Sequence, residues 1–177
     1  MILVNKTYRF STSALLAVLG AAFLALPIYV GESKSETTDG RYVYERIETV
    51  DLKKSEIVAY AAAFIAERVV SGRSAIQLTD SQLGKIIGDV ELMNPRTGSS
   101  DSFKGIKCRL VLDAKDGRFR LQISNVEAID RFGALSPFGK LEGTYRGEIE
   151  PLATSLLTDF SSELTGYLKS AKAPTNW

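Results

Sequence analysis

Few residues of this chain belong to the types that usually perform catalysis. The sequence contains no histidine, the most common general base and transition-metal ligand. Cys108 is the single cysteine, so an intramolecular disulfide or a thiolate zinc site has no second sulfur. Asp80 precedes the predicted strand that contains Gly88, and Asp89 and Glu91 follow Gly88 on one face of that strand. A hydrolase that uses these carboxylates is the least favoured hypothesis, because acidic side chains on a strand are usually solvated. We predict no catalytic, metal-binding or cofactor-binding residue and a protein that is not an enzyme.

Four basic residues share one side of two predicted strands, namely Lys107, Arg109, Arg118 and Arg120. A solvated surface explains them, and so does a surface that faces a partner or anionic lipid headgroups. Nucleic acid is not a predicted partner, since this side lacks the interleaved aromatic residues that unstack bases. The charge balance agrees, because 22 basic and 21 acidic residues create no strong positive field.

Two phenylalanines, Phe132 and Phe138, lie in Ala128–Thr144, a stretch with several glycines that we predict to be an irregular loop. They are candidates for the mouth of a site that holds an apolar small molecule between a sheet and its helices. The alternative is that they anchor the loop to the core.

Apolar patterns predict the elements that position these residues. Arg41–Asp51 is rich in β-branched and aromatic residues and is predicted to be a strand. Two short strands, Ala75–Thr79 and Lys85–Met93, follow a predicted helix, and Gly88 indicates a bulge or a close backbone approach. That helix is Lys53–Val70, whose apolar stripe consists of Ile57, Ala61, Phe64, Ile65 and Val69.

The clearest local signal is a hairpin around Asp116-Gly117, a dipeptide favoured in two-residue turns. A two-residue turn here sets the register of both strands. Apolar residues then face each other, and one pair has opposite charges. The predicted pairs are Leu112 with Leu121, Leu110 with Ile123, Asp113 with Arg120, and Lys115 with Arg118. Cys108 falls on the side of Leu110, which makes it a small core residue.

A final helix completes the domain. Pro151 is predicted to open it, because proline is favoured in the first helical turn. The resulting order, β-α-β-β-β-β-α, predicts an α+β fold in which helices pack on one face of an antiparallel sheet. We predict one globular domain over residues 41–172 and a frayed tail over residues 173–177. The predicted buried stripe of the final helix is Leu152, Leu156, Leu157, Phe160, Leu164, Tyr167 and Leu168.

The first 31 residues are predicted to be a membrane anchor or a signal segment. Residues 14–30 are almost entirely apolar, which is close to the length of a membrane span. Lys6 and Arg9 precede them, which favours a cytoplasmic N-terminus and a domain outside the cytoplasm. An uncleaved transmembrane helix is the preferred interpretation, and a cleaved signal that leaves a secreted or periplasmic protein is the alternative. The polar stretch 32–40 is predicted to be a tether.

Three stretches resemble a bacterial family of exported domains of unknown function with a fold similar to that of the TATA-binding protein. They are Asp51–Ile57 at the start of the first helix, Ala75–Gly88, and Asp116–Ile123 in the hairpin. The resemblance extends over roughly residues 42–130 and implies the same fold here. It implies no substrate and assigns no functional residue.

These observations predict a membrane-tethered, extracytoplasmic, non-enzymatic binding module of the bacterial inner membrane. Its expected partners are the membrane, through residues 14–30, and an apolar small molecule or another envelope protein. The alternative is a structural or assembly component of the cell envelope.

Overall fold

A computed structural model describes residues 33–38, 41–69, 75–95, 103–141 and 143–171. The predicted anchor, residues 1–31, and the predicted tail, residues 173–177, lie outside the described residues. None of the helices in the described ranges is both long enough and apolar enough to cross a membrane.

The described residues form one antiparallel sheet and two long helices, which confirms an α+β fold. The sheet order is β1-β2-β6-β5-β4-β3, and β7 pairs with β6 outside this path. The helices are α1 (Lys54–Arg68) and α2 (Gly143–Ser170), with a short 3₁₀ helix at Phe138–Lys140. The strands are β1 (Ser33–Thr38), β2 (Arg41–Thr49), β3 (Ile76–Asp80), β4 (Lys85–Met93), β5 (Phe103–Lys115), β6 (Arg118–Asp130) and β7 (Leu135–Pro137).

The predicted hairpin forms the centre of the sheet, and its register is confirmed. Gly117 adopts a φ of 80°, a left-handed conformation that glycine tolerates without steric cost. The turn sets the pairing of β5 with β6, so that all four predicted residue pairs lie opposite each other. Cys108 is buried on the core side, as predicted.

One side of the sheet packs against α1 and α2. The central strands bury alternate residues, among them Val90, Leu110 and Leu121. All five predicted stripe residues of α1 are buried, which confirms that helix face. Phe64 of α1 contacts Phe160 of α2 with 5.6 Å between ring centroids, so the two helices also pack against each other. The other side of the sheet is polar and partly exposed, and we call it the open face.

A polar seam joins β2 to α2 on the packed side. The hydroxyls of Tyr44 and Ser161 share a hydrogen bond of 2.7 Å, and Arg46 donates to Ser161 at 3.0 Å. Glu48 is only 4% exposed and forms an ion pair with Arg46 at 2.6 Å. Lys169 lies 3.7 Å from the second carboxylate oxygen of Glu48. The buried carboxylate is therefore compensated by two cations, as burial of a charge requires.

The predicted tether contains a strand. Ser33–Thr38 form β1, which pairs with β2 along its whole length. Composition indicated a tether because serine, lysine and glutamate are weak strand formers. The edge of β2, however, offers unpaired backbone groups, and pairing with them outweighs that low propensity.

The predicted loop Ala128–Thr144 is largely ordered structure. It contains the last residues of β6, then β7, the 3₁₀ helix and the start of α2. Pro151 lies inside α2 and does not open it. The hydrogen bond that proline cannot donate would go to Gly147, which is exposed, so water can satisfy that carbonyl. Leu152 is exposed, in contrast to the prediction, and Ala153 is buried instead.

Gly88 marks a close backbone approach, as predicted. A Cβ at this position would overlap the carbonyl oxygen of Ala75, just before β3. The pairing of β3 with β4 shifts register between Ile76 and Leu78, beside this contact. A side chain at residue 88 would therefore push the edge strand β3 away from β4.

An ion-pair ladder crosses the open face from β4 to β2. Asp113 accepts a hydrogen bond from Arg120 at 2.7 Å and lies 3.1 Å from the ammonium nitrogen of Lys85. Arg120 also lies 3.9 Å from Glu45. Partial burial raises the pKa of Asp113, but its bonds to Arg120 and Lys85 outweigh that effect, so its pKa lies below the ordinary value.

We expect Gly88→Ala to destabilise the fold by about 1–3 kcal/mol, because the added methyl group overlaps backbone. Gly166→Ala is the matched control, since a Cβ at that exposed position of α2 meets nothing within 4 Å. The control should gain up to about 1 kcal/mol from helix propensity. Urea unfolding monitored by circular dichroism measures both, and equal effects would contradict the close approach.

We expect Asp113→Asn to reduce the sensitivity of the fold to acid. The lowered pKa of Asp113 means that its ion pairs stabilise the fold above the unfolded-state pKa, about 3.9. This contribution is lost as the pH falls below that value, so unfolding free energies of wild type and variant should converge between about pH 5 and pH 2. Glu67→Gln is the control, because Glu67 forms no ion pair with a described residue. A constant difference across this range would contradict the ladder.

Candidate functional site

The four predicted basic residues all lie on the open face, but the structure divides them into two groups. Arg109 and Asp113 are separated by four positions along β5, or ~13 Å, and Asp113 lies opposite Arg120. Lys107 and Arg109 therefore lie near the middle of the sheet. Arg118 and Arg120 lie beside the hairpin turn. Each group lines a separate cleft.

Two of the four basic residues are neutralised by neighbouring acids. Arg109 lies 3.3 Å from Asp89, and Arg120 is held in the ion-pair ladder. Lys107 and Arg118 form no ion pair with a described residue. The predicted basic residues therefore belong to two smaller sites, and each site has one cation of the predicted set that forms no ion pair with a described residue. Lys107, the cation of the first site, lies between Glu91 and Glu127 of the neighbouring strands.

A β-bulge creates the first cleft. Lys107 pairs with Glu127 and Arg109 pairs with Ser124, so β6 has one more residue than β5 between these two pairs. Asn125 takes up the extra length with a φ of 51°, a left-handed conformation that asparagine tolerates better than most residues. Beyond the bulge the alternation of β6 is reversed, so that Val126 is buried.

The cleft at this bulge, which we call the bulge cleft, has a volume of about 640 Å³. One wall is the aromatic pair Tyr42 and Phe138, whose ring centroids are 5.4 Å apart. Lys140, in the 3₁₀ helix, borders the cleft and forms no ion pair with a described residue. Lys107 borders the cleft from β5, and Glu127 and the Asp89–Arg109 pair complete its polar lining.

The two predicted mouth residues have different environments. Phe138 is 4% exposed, packs on Tyr42 and contributes to the bulge cleft. Phe132 is 79% exposed in the turn between β6 and β7, with the guanidinium of Arg131 4.6 Å from its ring centre. The two phenylalanines therefore do not line one mouth, and Phe138 also anchors its segment to the core.

Cys108 borders the bulge cleft but is poorly suited to be a nucleophile. Burial, assisted by the negative charge of Asp89, raises the pKa of its thiol to about 12. Since the thiolate is the reactive form, the side chain is protonated at neutral pH. Its role in the described structure is to fill the core opposite the bulge.

The three acids considered for hydrolysis are distributed over separate contacts. Asp89 accepts a hydrogen bond from Gln77 at 2.6 Å and pairs with Arg109. Asp80 accepts hydrogen bonds from the backbone of Gln82 and Leu83, both at 2.8 Å. Glu91 lies on the open face beside Lys107 of β5. Asp80 therefore stabilises a turn, and only Asp89 borders the bulge cleft.

A second cleft, the hairpin cleft, lies beside the β5–β6 turn and has a volume of about 510 Å³. Its exposed apolar residues are Ile47, at 40% exposure, and Leu83, at 72%, while Ala114 and Phe119 line it as buried residues. Its charged residues are Lys85, Asp113, Lys115, Arg118 and Arg120. Cations therefore outnumber acids here, around two exposed aliphatic side chains.

Sequence reasoning missed the bulge, Lys140 and the apolar part of the hairpin cleft. One signal was available for the bulge. The apolar residues of β6 are odd-numbered from Phe119 to Ile123, and the next two, Val126 and Ala128, are even-numbered. A strand without a bulge cannot change that parity while it keeps one face buried. Lys140 and Leu83 carry no such signal, because only the fold brings them to their clefts.

Similar solved structures share this fold. A DUF4468 family protein from Bacteroides ovatus is 14% identical, with a TM-score of 0.53, over 81% of this chain and 93% of that protein. A TBP-like protein from Parabacteroides distasonis is 12% identical, with a TM-score of 0.59, over 76% of this chain and 96% of that protein. At these identities the likeness concerns the fold alone.

The sequence comparison identifies the family. No curated protein is similar to this chain. Residues 43–128 match the family described as a domain of unknown function, DUF4468, with TBP-like fold. The match begins in β2, includes α1, and extends through most of β6, so it contains the central hairpin and the bulge. Residues 43–128 of this chain therefore form a domain of the DUF4468 family.

Proposed function

We propose that this protein is a membrane-tethered, extracytoplasmic binding module that holds a small organic anion with an apolar body in the bulge cleft. The observation that carries the proposal is that two cations and an aromatic wall border the same cleft. Lys107 and Lys140 have no ion-pair partner among the described residues, and both border the cleft beside Tyr42 and Phe138. Specific small-molecule sites commonly combine an apolar wall with a few polar groups.

The shape of the cleft supports the same class of ligand. Its volume, about 640 Å³, falls within the usual range of small-molecule sites. The bulge exposes Asn125, whose side-chain amide can donate and accept hydrogen bonds. Bulges are frequent beside binding sites because they redirect side chains and interrupt the strand ladder.

Binding without catalysis fits the chemistry of the lining. The thiol of Cys108 has a pKa of about 12, and Asp89 is held by Gln77 and Arg109. Neither group resembles an activated nucleophile with an adjacent general base. The ligand is therefore held and released unchanged.

The tether is the second part of the proposal. Residues 14–30 form an uninterrupted apolar stretch, preceded by Lys6 and Arg9. This pattern favours a bilayer span with the domain on the outer side of the bacterial inner membrane. The similar proteins from two bacteria agree with a bacterial membrane.

We expect an alkaline phosphatase reporter fused after Trp177 to be active in a bacterial host, because that enzyme needs the oxidising environment outside the cytoplasm. A fluorescent reporter that folds only in the cytoplasm, fused at the same position, is the matched control and should be dark. The full chain should also sediment with membranes after carbonate washing. The opposite pattern of the two reporters would overturn the extracytoplasmic location.

We expect the purified full chain to bind naphthalene-2-sulfonate, a probe with an apolar ring system and one negative charge, in isothermal titration calorimetry. Lys107→Ala and Lys140→Ala should each weaken binding by roughly 10- to 150-fold, as loss of a charged hydrogen bond does. Lys104→Ala is the matched control, since Lys104 lies on β5 but does not border the cleft.

Two results would count against the binding proposal. Equal losses from Lys104→Ala and Lys107→Ala would mean that the probe binds elsewhere. Absence of probe binding, together with stable co-purification of one envelope protein, would favour the alternative role in envelope assembly.

A further inference from the structure

We propose that the hairpin end of the sheet docks on the anionic lipid surface of the membrane that holds the chain. The hairpin end is the end formed by the β3–β4 turn, residues 81–84, and the β5–β6 turn, Asp116-Gly117. The inference rests on the anchor in the proposed function and adds an orientation and a lipid-binding surface to it.

The chain enters the domain on the side of the hairpin end. Ser33, the first residue of β1, pairs with Arg46, and β1 runs away from the hairpin end. Arg46 is adjacent to Ile47, which lines the hairpin cleft. Only Gly31 and Glu32 separate Ser33 from the apolar stretch, and such a connection spans at most ~10 Å. The bilayer surface must therefore lie close to the hairpin end.

The hairpin end also carries two adjacent cations. Lys115 and Arg118 lie directly opposite each other, and neither forms an ion pair with a described residue. Like charges in opposite positions destabilise a strand pair unless an anion lies between them. Asp113, the acid that lines the cleft, is already shared by Lys85 and Arg120. The carboxylate of Asp116, in the turn, accepts the backbone N–H of Lys54. A negatively charged lipid headgroup supplies the missing counter-charge.

Exposed aliphatic side chains lie among these cations. Leu83 projects from the β3–β4 turn with 72% of its surface exposed. The turn is held in shape because Asp80 accepts hydrogen bonds from the backbone of Gln82 and Leu83. Ile47 adds a second partly exposed aliphatic side chain. Aliphatic residues surrounded by cations are typical of surfaces that rest in the interfacial layer of a membrane.

The opposite end of the sheet provides an internal comparison. Phe132 is also exposed and has Arg131 beside it, so it resembles Leu83 in polarity and exposure. The 13 residues of β5 separate the two ends by ~40 Å. The chain does not enter the domain there, so a membrane contact at the hairpin end leaves Phe132 in water.

The test uses the full chain reconstituted into vesicles of phosphatidylcholine mixed with phosphatidylglycerol. Leu83→Cys is labelled with an environment-sensitive fluorophore, and Phe132→Cys is the matched control. The native Cys108 does not react, because it is buried and its thiol has a pKa of about 12. Lipids with a nitroxide on the headgroup then report which label touches the membrane. Most of the fluorescence at position 83 should be lost, and little at position 132.

Charge reversal tests the role of anionic lipid. Lys115→Glu with Arg118→Glu keeps like charges opposite each other, so it leaves the fold comparable while reversing the sign. This pair should abolish quenching at position 83, as should vesicles of pure phosphatidylcholine. Lys104→Glu with Arg131→Glu removes the same charge elsewhere and should leave quenching unchanged.

Flotation of the vesicles distinguishes failure of the proposed membrane anchor from failure of the proposed docking. If the chain does not float with them, the anchor fails and the docking fails with it. If the chain floats and the label at position 83 stays bright, the docking alone is overturned. Quenching at position 132, or quenching at position 83 that survives charge reversal, also overturns it.

Discussion

The structure depends on the two-residue turn Asp116-Gly117. Val50 donates a backbone hydrogen bond to Gly117 at 3.0 Å, and Gly117 donates one to Leu52 at 3.0 Å. The carboxylate of Asp116 accepts the backbone N–H of Lys54 at 2.7 Å, at the first turn of α1. One turn therefore sets the register of β5 with β6 and also fixes where β2 ends and α1 begins. A slip of one residue would exchange the buried and exposed sides of the central strands.

The bulge in β6 changes which residues of the strand are buried. Because a hairpin with a two-residue turn alternates strictly, the extra residue at Asn125 is the only way β6 can bury both Ile123 and Val126. The bulge leaves a gap in the open face, and the 3₁₀ helix with Phe138 borders it. The bulge cleft thus forms where the regular pairing of β5 with β6 is interrupted.

Local signals explain which parts of the fold could be predicted. The hairpin register, β4 and the buried face of α1 follow from a turn dipeptide and from residue spacing, and each was predicted correctly. Strand β1 was missed because its stability comes from pairing with β2 rather than from its own residues. The start of α2 was missed because proline usually ends or opens a helix, whereas here the helix continues through it. The clefts were beyond sequence reasoning, since each combines residues from several elements.

The polar seam fixes the position of α2 along β2. Glu48 is a buried carboxylate, and its charge is compensated by Arg46 of β2 and by Lys169 of α2. A shift of α2 along β2 would separate Lys169 from Glu48 and leave that buried charge poorly compensated, which costs a large free energy. This register brings Lys169, near the end of α2, to the hairpin end, where β1 also begins. Cys108, beside the bulge, lies seven positions from Lys115, or ~23 Å along β5. In the orientation that we propose, with the hairpin end on the membrane, this distance would hold the bulge cleft away from the lipid surface.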